Sequence, residues 1–419
     1  MDLISNAQWR ARCEADGEFL LAARHWTGSF KIHAGSEIRR LTLTDGQLVD
    51  ATTTDLSTEL TYTGSSDVWT RLLMSVPERF YSDPMFNMSL NKGLKRSGDP
   101  IAHAQFYPAI ARAIELLRPP TPDLKPAASE SEGVESVTGH YANINVEGVR
   151  HRIYFERAGQ GIPVLLQHTA GCHASQWRHL MNDRRITDRF ELIAYDLPFH
   201  GKSIPPVEED WWANDYQLRE GLLRALPRAL ANLLGLKQPV FMGCSVGGLL
   251  ALDLALKHPE DFRAVISIEG ALHIGGSAES LSLLWHPQIG NQYKARLMEG
   301  LIAPQSPKAY RKETSWVYAS GWPPSFIGDL NYYTQEYDLR QSAADIDTAQ
   351  IDVHILSGEY DYSGLPELGR AAHEAIAGST FTLMGGVGHF PMSENPAAFI
   401  EYLLPVLAHI ENRGYFLLV

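Results

Sequence analysis

Residues 239–248 read PVFMGCSVGG, and residues 249–257 continue as LLALDLALK. The first four residues form a short apolar run typical of a buried strand, and the later residues have the apolar pattern of a helix. Between them lies a Gly-x-Ser-x-Gly turn, in which Ser245 has glycine two positions away on either side. A sharp strand-to-helix turn needs small residues there because a Cβ atom would clash. Such a turn would hold the Ser245 hydroxyl at the positive end of a helix, so we predict that Ser245 is a nucleophile.

Further strand-like runs surround this turn. They are short and apolar, and helical patterns at 216–234 and 248–257 lie between them. Alternating strands and helices of this kind predict a mainly parallel sheet flanked by helices, which is an α/β fold. The predicted strands cover residues 163–167, 190–195, 239–242, 264–268 and 353–357, preceded by a hairpin-like pair at 140–146 and 151–156.

A serine hydroxyl is a weak nucleophile at neutral pH and needs a base within hydrogen-bonding distance. His389, in the late stretch GHFP, is the predicted base, because imidazole titrates near neutrality. A third residue must hold the imidazole in the correct tautomer, and Asp361 follows the predicted strand 353–357. Glu269, which ends the predicted strand 264–268, is the alternative acid. We favour Asp361 and leave Glu269 open.

Two loops complete this set of motifs. HTAG at 168–171 follows the strand-like run PVLLQ, and DLPFHGKS at 196–203 follows the run FELIAY. With the serine turn, the acid and the histidine in this order, residues 137–419 strongly resemble the α/β-hydrolase superfamily. The usual patterns of that family have glycine where this chain has Thr169 and Phe199.

The resemblance implies how the site would work. Two backbone N–H groups, those of Ala170 and Val246, would form an oxyanion hole. Ser245 would attack a carboxylic ester or lactone, His389 would act as base and then as acid, and water would release the acyl-enzyme. The loop 196–203 would brace the site without taking part in the chemistry. Hydrolysis of a carbon–carbon bond on the same scaffold is the alternative reaction.

Residues 276–350 separate two predicted strands, at the position where the resembled fold carries a cap. An aromatic-rich cap would suit a bulky apolar or aromatic substrate. Any single ring more often packs cap helices together, so we assign none of them to the site. The aromatic residues of this segment include Trp285, Tyr293, Tyr310, Trp316, Tyr318, Trp322, Phe326, Tyr332, Tyr333 and Tyr337.

Residues 119–136, which read PPTPDLKPAASESEGVES, contain few large apolar side chains and predict an extended linker. Residues 1–118 are therefore predicted to form a separate α+β domain, in which Asp45-Gly46 predicts a hairpin turn between strands at 38–43 and 48–53. The pattern of this domain resembles the sterol-carrier-like lipid-binding fold. We favour an accessory or oligomerisation role, and the alternative is a lipid-binding or transfer protein with a secondary hydrolase module. Because all the motifs lie beyond the linker, residues 137–419 alone are expected to retain the chemistry.

Composition narrows the choice of partners. Lys and Arg number 36 against 49 Asp and Glu, a net charge of −13, which disfavours nucleic acid and anionic membrane surfaces as partners. Cys13, Cys172 and Cys244 are too few for a disulfide framework or a thiolate zinc site. Neither a ligand cluster nor a phosphate-binding glycine loop is evident, so we expect no metal and no organic cofactor.

The sequence also gives an expected location and an expected partner. We see no signal peptide and no apolar run long enough to span a membrane, so we expect a cytoplasmic protein. The expected partner is a small apolar ester or lactone, and association into a homo-oligomer is left open.

Overall fold

A computed structural model describes residues 3–50, 59–120, 123–126, 132–275 and 278–413 of the chain. The chain divides into two units, each with its own sheet and core. Unit 1 is Met1–Leu124 with Ser282–Gln305, and unit 2 is Lys125–Leu281 with Ser306–Val419.

The division differs from the domain prediction only in where it assigns Ser282–Gln305. Its first boundary lies inside the predicted linker 119–136, of which residues 121–122 and 127–131 lie outside the described residues. The predicted cap, 276–350, is not one insertion into the second domain, because its segment Ser282–Gln305 belongs to unit 1.

Unit 1 contains a five-stranded mixed sheet in the order β3-β2-β1-β4-β5. Its predicted hairpin turn is present, since Asp45 and Gly46 both have positive φ and Leu43 pairs with Leu48. The part of the predicted second hairpin strand at 51–53 lies outside the described residues. Large rings that are almost fully buried fill the core: Trp9, Trp26, Phe30, Tyr62 and Trp69. The elements are Asn6–Glu14 (α1), Gly17–Ala22 (α2), Gly28–Ala34 (β1), Glu37–Thr44 (β2), Gln47–Leu48 (β3), Glu59–Gly64 (β4), Ser66–Leu72 (α3), Pro84–Ser89 (α4), Lys95–Ser97 (β5), Pro100–Glu115 (α5) and Asn291–Glu299 (α10).

Buried charges hold α10 within unit 1. The Arg296 guanidinium lies 3.2 Å from the carboxylate of Asp83 and 2.9 Å from that of Glu115, at the end of α5. The Tyr107 hydroxyl donates to Asp83 at 2.9 Å. A buried charge without a partner is costly, so these contacts explain why α10 packs here. Sequence periodicity does not reveal such long-range pairs, so the sequence did not indicate that Ser282–Gln305 belongs to unit 1.

Unit 2 confirms the predicted α/β-hydrolase fold, with an eight-stranded sheet in the order β13-β12-β11-β10-β8-β9-β7-β6. The strands from β13 to β9 run parallel, and β7 and β6 add an antiparallel edge. The strands are Thr138–Val146 (β6), Val149–Gly159 (β7), Ile162–Gln167 (β8), Phe190–Tyr195 (β9), Val240–Cys244 (β10), Ala264–Ile268 (β11), Asp352–Gly358 (β12) and Thr380–Met384 (β13). The helices are Arg178–Met181 (α6), Arg184–Thr187 (α7), Glu220–Leu234 (α8), Val246–Lys257 (α9), Lys308–Ser320 (α11), Pro323–Asn331 (α12), Pro366–Ala375 (α13), Pro391–Glu394 (α14) and Pro396–Asn412 (α15).

The register of this sheet places three predicted site residues at one edge. Cys244 pairs with Ile268, and Ile268 pairs with Leu356, so β10, β11 and β12 end side by side. Ser245 and Glu269 directly follow the first two of these strands, and Asp361 lies three residues after the third, β12. Ligands of open parallel sheets bind at the carboxyl ends of the strands.

Within the described residues, every helix is too short or too polar to cross a bilayer.

Candidate active site

Ser245 occupies the predicted strained turn. Its φ of 58° and ψ of −112° lie in a region that residues with a side chain rarely adopt, and α9 begins at the next residue. A Cβ atom on Gly243 would lie 2.5 Å from the backbone of Gly247, and one on Gly248 would lie 2.2 Å from the carbonyl oxygen of Ile268. Glycine is therefore required around the turn, which presents Ser245 at the start of a helix.

His389 and Asp361 meet at this edge of the sheet. The Nδ1 atom of His389 lies 2.8 Å from Oδ2 of Asp361, and both side chains are buried. The two groups are at ion-pair distance but are not aligned for a straight hydrogen bond. Such alignment is often poor in ligand-free sites. The His389 carbonyl oxygen accepts a hydrogen bond from the Cys244 thiol at 3.2 Å, which brings this loop beside the residue that precedes Ser245.

Glu269 lies next to Asp361. Its carboxyl group hydrogen-bonds to that of Asp361, and its two oxygens lie 2.8 and 2.9 Å from the N–H of Gly358. Burial and the charge of Asp361 raise the pKa of Glu269 well above its usual value. Burial alone would raise the pKa of Asp361 too, but the neighbouring His389 lowers it. Two adjacent buried carboxyls cannot both ionise, so Glu269 keeps its proton and Asp361 carries the charge beside His389.

A second buried glutamate, which sequence reasoning missed, holds the histidine loop. Glu394 accepts hydrogen bonds from the N–H groups of Gly388 at 2.7 Å and Phe390 at 3.1 Å, on either side of His389. The Ser306 hydroxyl donates to the same carboxylate at 3.0 Å. Nothing in the local sequence pattern around Glu394 signals this role, because it depends on the loop folding back.

The predicted oxyanion loop leaves one amide available. The N–H of Thr169 donates to the Gln176 side chain at 3.0 Å, and that of Gly171 donates to Asp329 at 2.7 Å. The N–H of Ala170 has no partner among the described residues. Val246 is the first residue of α9, where N–H groups have no partner within the helix. Neither N–H group expected to face an oxyanion therefore has a hydrogen-bond partner in the part of the chain that the structure describes.

Hydrogen bonds fix the backbone of the loop 196–203, for which a bracing role remains a prediction. Asp196 accepts from the N–H groups of Ala174 and Lys202, each at 2.7 Å, and the Ser203 hydroxyl donates to the Asp196 carbonyl oxygen at 2.9 Å. Burial raises the pKa of Asp196 to about 6. Phe199 has a φ of 70°, the left-handed conformation that glycine adopts more easily. The loop thus keeps the backbone of the resembled pattern despite the substitution.

Asp329, in α12 of the cap, joins the cap to the oxyanion loop. Besides the Gly171 N–H, it accepts a hydrogen bond from the Tyr216 hydroxyl at 2.9 Å and lies 2.9 Å from Nε2 of His200. The other ring nitrogen of His200 lies 2.8 Å from the Pro198 carbonyl oxygen. Burial alone would lower the pKa of His200, but the Asp329 carboxylate raises it above the usual value. A buried ion pair therefore supports the backbone next to Ala170.

Two cap tyrosines contact the site. The Tyr333 hydroxyl contacts Oγ of Ser245, and the Tyr318 hydroxyl contacts Oγ1 of Thr169. Burial raises the pKa of Tyr333 above its usual value, so the phenol is neutral. Both belong to the aromatic set predicted for the cap, but their spacing does not distinguish them from the rings that only pack helices. A one-turn π-helix over Tyr332–Glu336 places the two adjacent tyrosines differently, since the Tyr332 hydroxyl donates to Asp253 at 2.9 Å.

Comparison with known proteins agrees with this fold. The model of the alpha/beta hydrolase family matches residues 164–402. An uncharacterized protein of Mycobacterium tuberculosis is 26% identical over 289 residues, which cover 63% of this chain and 81% of that protein. A 2-hydroxy-6-oxononadienedioate/2-hydroxy-6-oxononatrienedioate hydrolase of Comamonas testosteroni is 29% identical over 134 residues, which cover 31% of this chain and 44% of the relative. A thermophilic esterase from Thermogutta terrifontis shares the fold, with a TM-score of 0.55 at 19% identity over 65% of this chain and 99% of the esterase.

Proposed function

Because the chain belongs to the alpha/beta hydrolase family, we propose that it hydrolyses a carboxylic ester or a lactone with Ser245 as the nucleophile. The conformation of Ser245 carries this proposal. A serine held at a φ of 58° is strained, and strain of this kind persists where it positions a reacting group. The Asp361–His389 pair and the free N–H groups of Ala170 and Val246 supply the other parts that acyl transfer needs.

The proposed reaction has two halves. Nε2 of His389 takes the Ser245 proton while Oγ attacks the carbonyl carbon, and the N–H groups of Ala170 and Val246 stabilise the charged oxygen. Asp361 stabilises the resulting imidazolium, which then protonates the departing alcohol oxygen. Water attacks the acyl-enzyme with His389 as base, which releases the carboxylic acid and restores Ser245.

The rings near the nucleophile support an apolar or aromatic substrate. Tyr318 lies 5.2 Å from Phe390 and 6.4 Å from Phe326, measured between ring centroids, and all three rings are buried. Tyr333 adds a neutral hydroxyl at Ser245. Neutral aromatic walls favour an uncharged acyl group and give no partner to a charged one.

The Comamonas testosteroni relative favours a second candidate reaction, hydrolysis of a carbon–carbon bond next to a carbonyl group. The same nucleophile and base would act, but the leaving atom would be a carbon that takes its proton from His389, in place of the alcohol oxygen. The two reactions differ in substrate and not in the residues that we assign.

The test is a screen of activated esters, lactones and vinylogous diketones with the wild type, Ser245→Ala and the control Ser379→Ala. Ser379 is also a buried serine, but it donates to the Ile376 carbonyl oxygen at 2.8 Å, beside α13. We expect Ser245→Ala to lose more than about 10³-fold of the turnover and Ser379→Ala to keep it. If Ser245→Ala retains activity within about tenfold of the wild type, the assignment is wrong. Turnover of diketones but not esters would favour the second candidate.

A further inference from the structure

A polar cluster lies at the opposite end of β12 from the candidate active site. Asp352 opens this strand and His354 is two residues further on, so both side chains share one face. His409, in the last turn of α15, completes the cluster, and one ligating atom from each residue lies within 4.8 Å of the others. Leu356 and the apolar residues of α15 belong to one core on this face.

The His354 ring is held in the orientation of a ligand. Its Nδ1 atom lies 2.8 Å from Oγ1 of Thr380, which is paired with His354 across the neighbouring strand. Its Nε2 atom is buried and has no hydrogen-bond partner among the described residues, although the residue is only 3% exposed. When Nδ1 donates its proton to Thr380, Nε2 carries a free lone pair. A buried polar atom without a partner is costly, so this lone pair points to a missing ligand.

We propose that Asp352, His354 and His409 bind a divalent transition-metal ion, Zn²⁺ being the best match. Two imidazole nitrogens and one carboxylate oxygen form a ligand set that Zn²⁺ commonly uses, with water in the fourth position. The Thr380 contact is the kind of outer hydrogen bond that orients a ligating histidine.

The cluster needs only local adjustment to bind the ion. Ligand atoms about 2.0–2.2 Å from a tetrahedral Zn²⁺ lie roughly 3.4 Å from one another. In the structure the three ligand atoms lie within 4.8 Å of one another, so they must move closer together. His409 is exposed and its side chain can turn towards His354, whose ring centroid is 5.4 Å away. Arg413, one helical turn beyond His409, pairs with Asp352. A bound ion would displace this guanidinium from the carboxylate.

In this arrangement the ion would lie far from the candidate active site. Asp352 is the first residue of β12 and Asp361 lies beyond its other end, and this seven-residue strand spans about 20 Å. A bound ion would tie α15 to the sheet without reaching Ser245. No metal is expected from the sequence because His409 is distant along the chain from Asp352 and His354. Folding brings them together from a strand and a distant helix.

The test is titration of the full chain with Zn²⁺ by calorimetry, with the melting temperature as a second readout. We expect one Zn²⁺ per chain and a raised melting temperature, since the ion binds only the folded site. His409→Gln should weaken binding by at least about tenfold, and it changes an exposed side chain that folding does not need. The control is His258→Gln, which alters a second cluster of possible metal ligands, His258, Glu260 and Asp261. This control should bind Zn²⁺ like the wild type. No binding by the wild type, or equal binding by wild type and His409→Gln, would overturn the proposal.

A second pair of variants tests the histidine orientation. Thr380→Val should weaken Zn²⁺ binding about tenfold because it removes the Nδ1 partner, whereas Thr380→Ser keeps the hydroxyl and should bind like the wild type. Thr380 is exposed at the start of β13, so both variants should fold. Equal affinity in all three proteins would show that His354 does not bind the ion through Nε2.

Discussion

Replacing Glu269 and Asp361 one at a time should show which of these two neighbouring carboxyl groups carries the negative charge. Glu269 is the protonated member of the pair in the structure, since burial and Asp361 both raise its pKa. Glu269→Gln substitutes one neutral group for another. The amide oxygen can still accept from the Gly358 N–H, and the amide N–H₂ can still donate to Asp361. Asp361→Asn instead removes the charge beside His389.

The expected magnitudes differ by orders of magnitude. Losing the acid that orients a catalytic imidazole costs about 10⁴-fold in turnover, or about 5.5 kcal/mol of transition-state stabilisation. We expect this loss for Asp361→Asn. Glu269→Gln preserves both hydrogen bonds and should stay within about threefold of the wild type, because a neutral hydrogen bond is worth only about 1 kcal/mol.

The same pair predicts a pH dependence of stability. The raised pKa of Glu269 means that the folded chain keeps a proton that the unfolded chain loses above about pH 4.3. Its contribution to stability is therefore complete at lower pH and declines as pH rises towards the folded-state pKa. The decline is at most about 1.4 kcal/mol per pH unit. Glu269→Gln cannot titrate, so its free energy of unfolding should rise relative to that of the wild type as pH rises above about 4.3, which we would measure from about pH 5 to about pH 8.

The assay combines turnover of an activated ester with denaturant unfolding at both ends of this pH range. Both variants must first show cooperative unfolding. If Glu269→Gln loses activity and Asp361→Asn keeps it, the acid is Glu269 and the reasoning from burial is wrong. A constant stability difference between Glu269→Gln and the wild type across the pH range would show that Glu269 is ionised in the fold.

Two further predictions concern the cap. Asp329→Asn removes the carboxylate that pairs with His200 and should lower the free energy of unfolding by about 3–5 kcal/mol at pH 6. Because the pKa of His200 is raised, this contribution is complete below about pH 6.5 and declines at higher pH. The difference in free energy of unfolding, measured by urea unfolding, should therefore shrink by about pH 9. A loss of stability that is independent of pH would contradict the ion pair. Tyr333→Phe removes the hydroxyl at Ser245 but keeps the ring, so kcat/KM for a small ester should change by less than about tenfold. A loss above about 100-fold would instead give Tyr333 a role in the chemistry.

The features that local sequence predicted are those with local causes. Gly243 in the turn at Ser245 is needed because the nearby backbone of Gly247 leaves no room for a Cβ atom, and this constraint is visible in ten residues. The buried strands are apolar on both faces, which is also visible locally. The fold class is confirmed for these reasons. The roles of Ser245, His389 and Asp361 stay predictions, with geometry that agrees with them.

The features that the sequence did not predict depend on distant partners. The pattern at 216–234 predicted one helix, but α8 begins at Glu220. The preceding residues are extended because the Tyr216 hydroxyl bonds Asp329 and the Leu218 N–H bonds the Gly328 carbonyl oxygen at 2.9 Å. Tertiary contacts override helix propensity there. Glu394 and Tyr333 escaped prediction for the same reason, since their contacts form only after folding.

The path of the chain between its units has a consequence for controlled digestion. Three chain connections join the units, at 124–125, 281–282 and 305–306. A protease that nicks the linker 119–136 breaks only the first, while α10 stays packed on α5 through Arg296 and Glu115. The nicked fragments should therefore co-elute under native conditions and separate only in denaturant. The excised piece 137–419 would carry α10 away from these partners, so a clean two-domain dissection needs a cut on each side of Ser282–Gln305 as well.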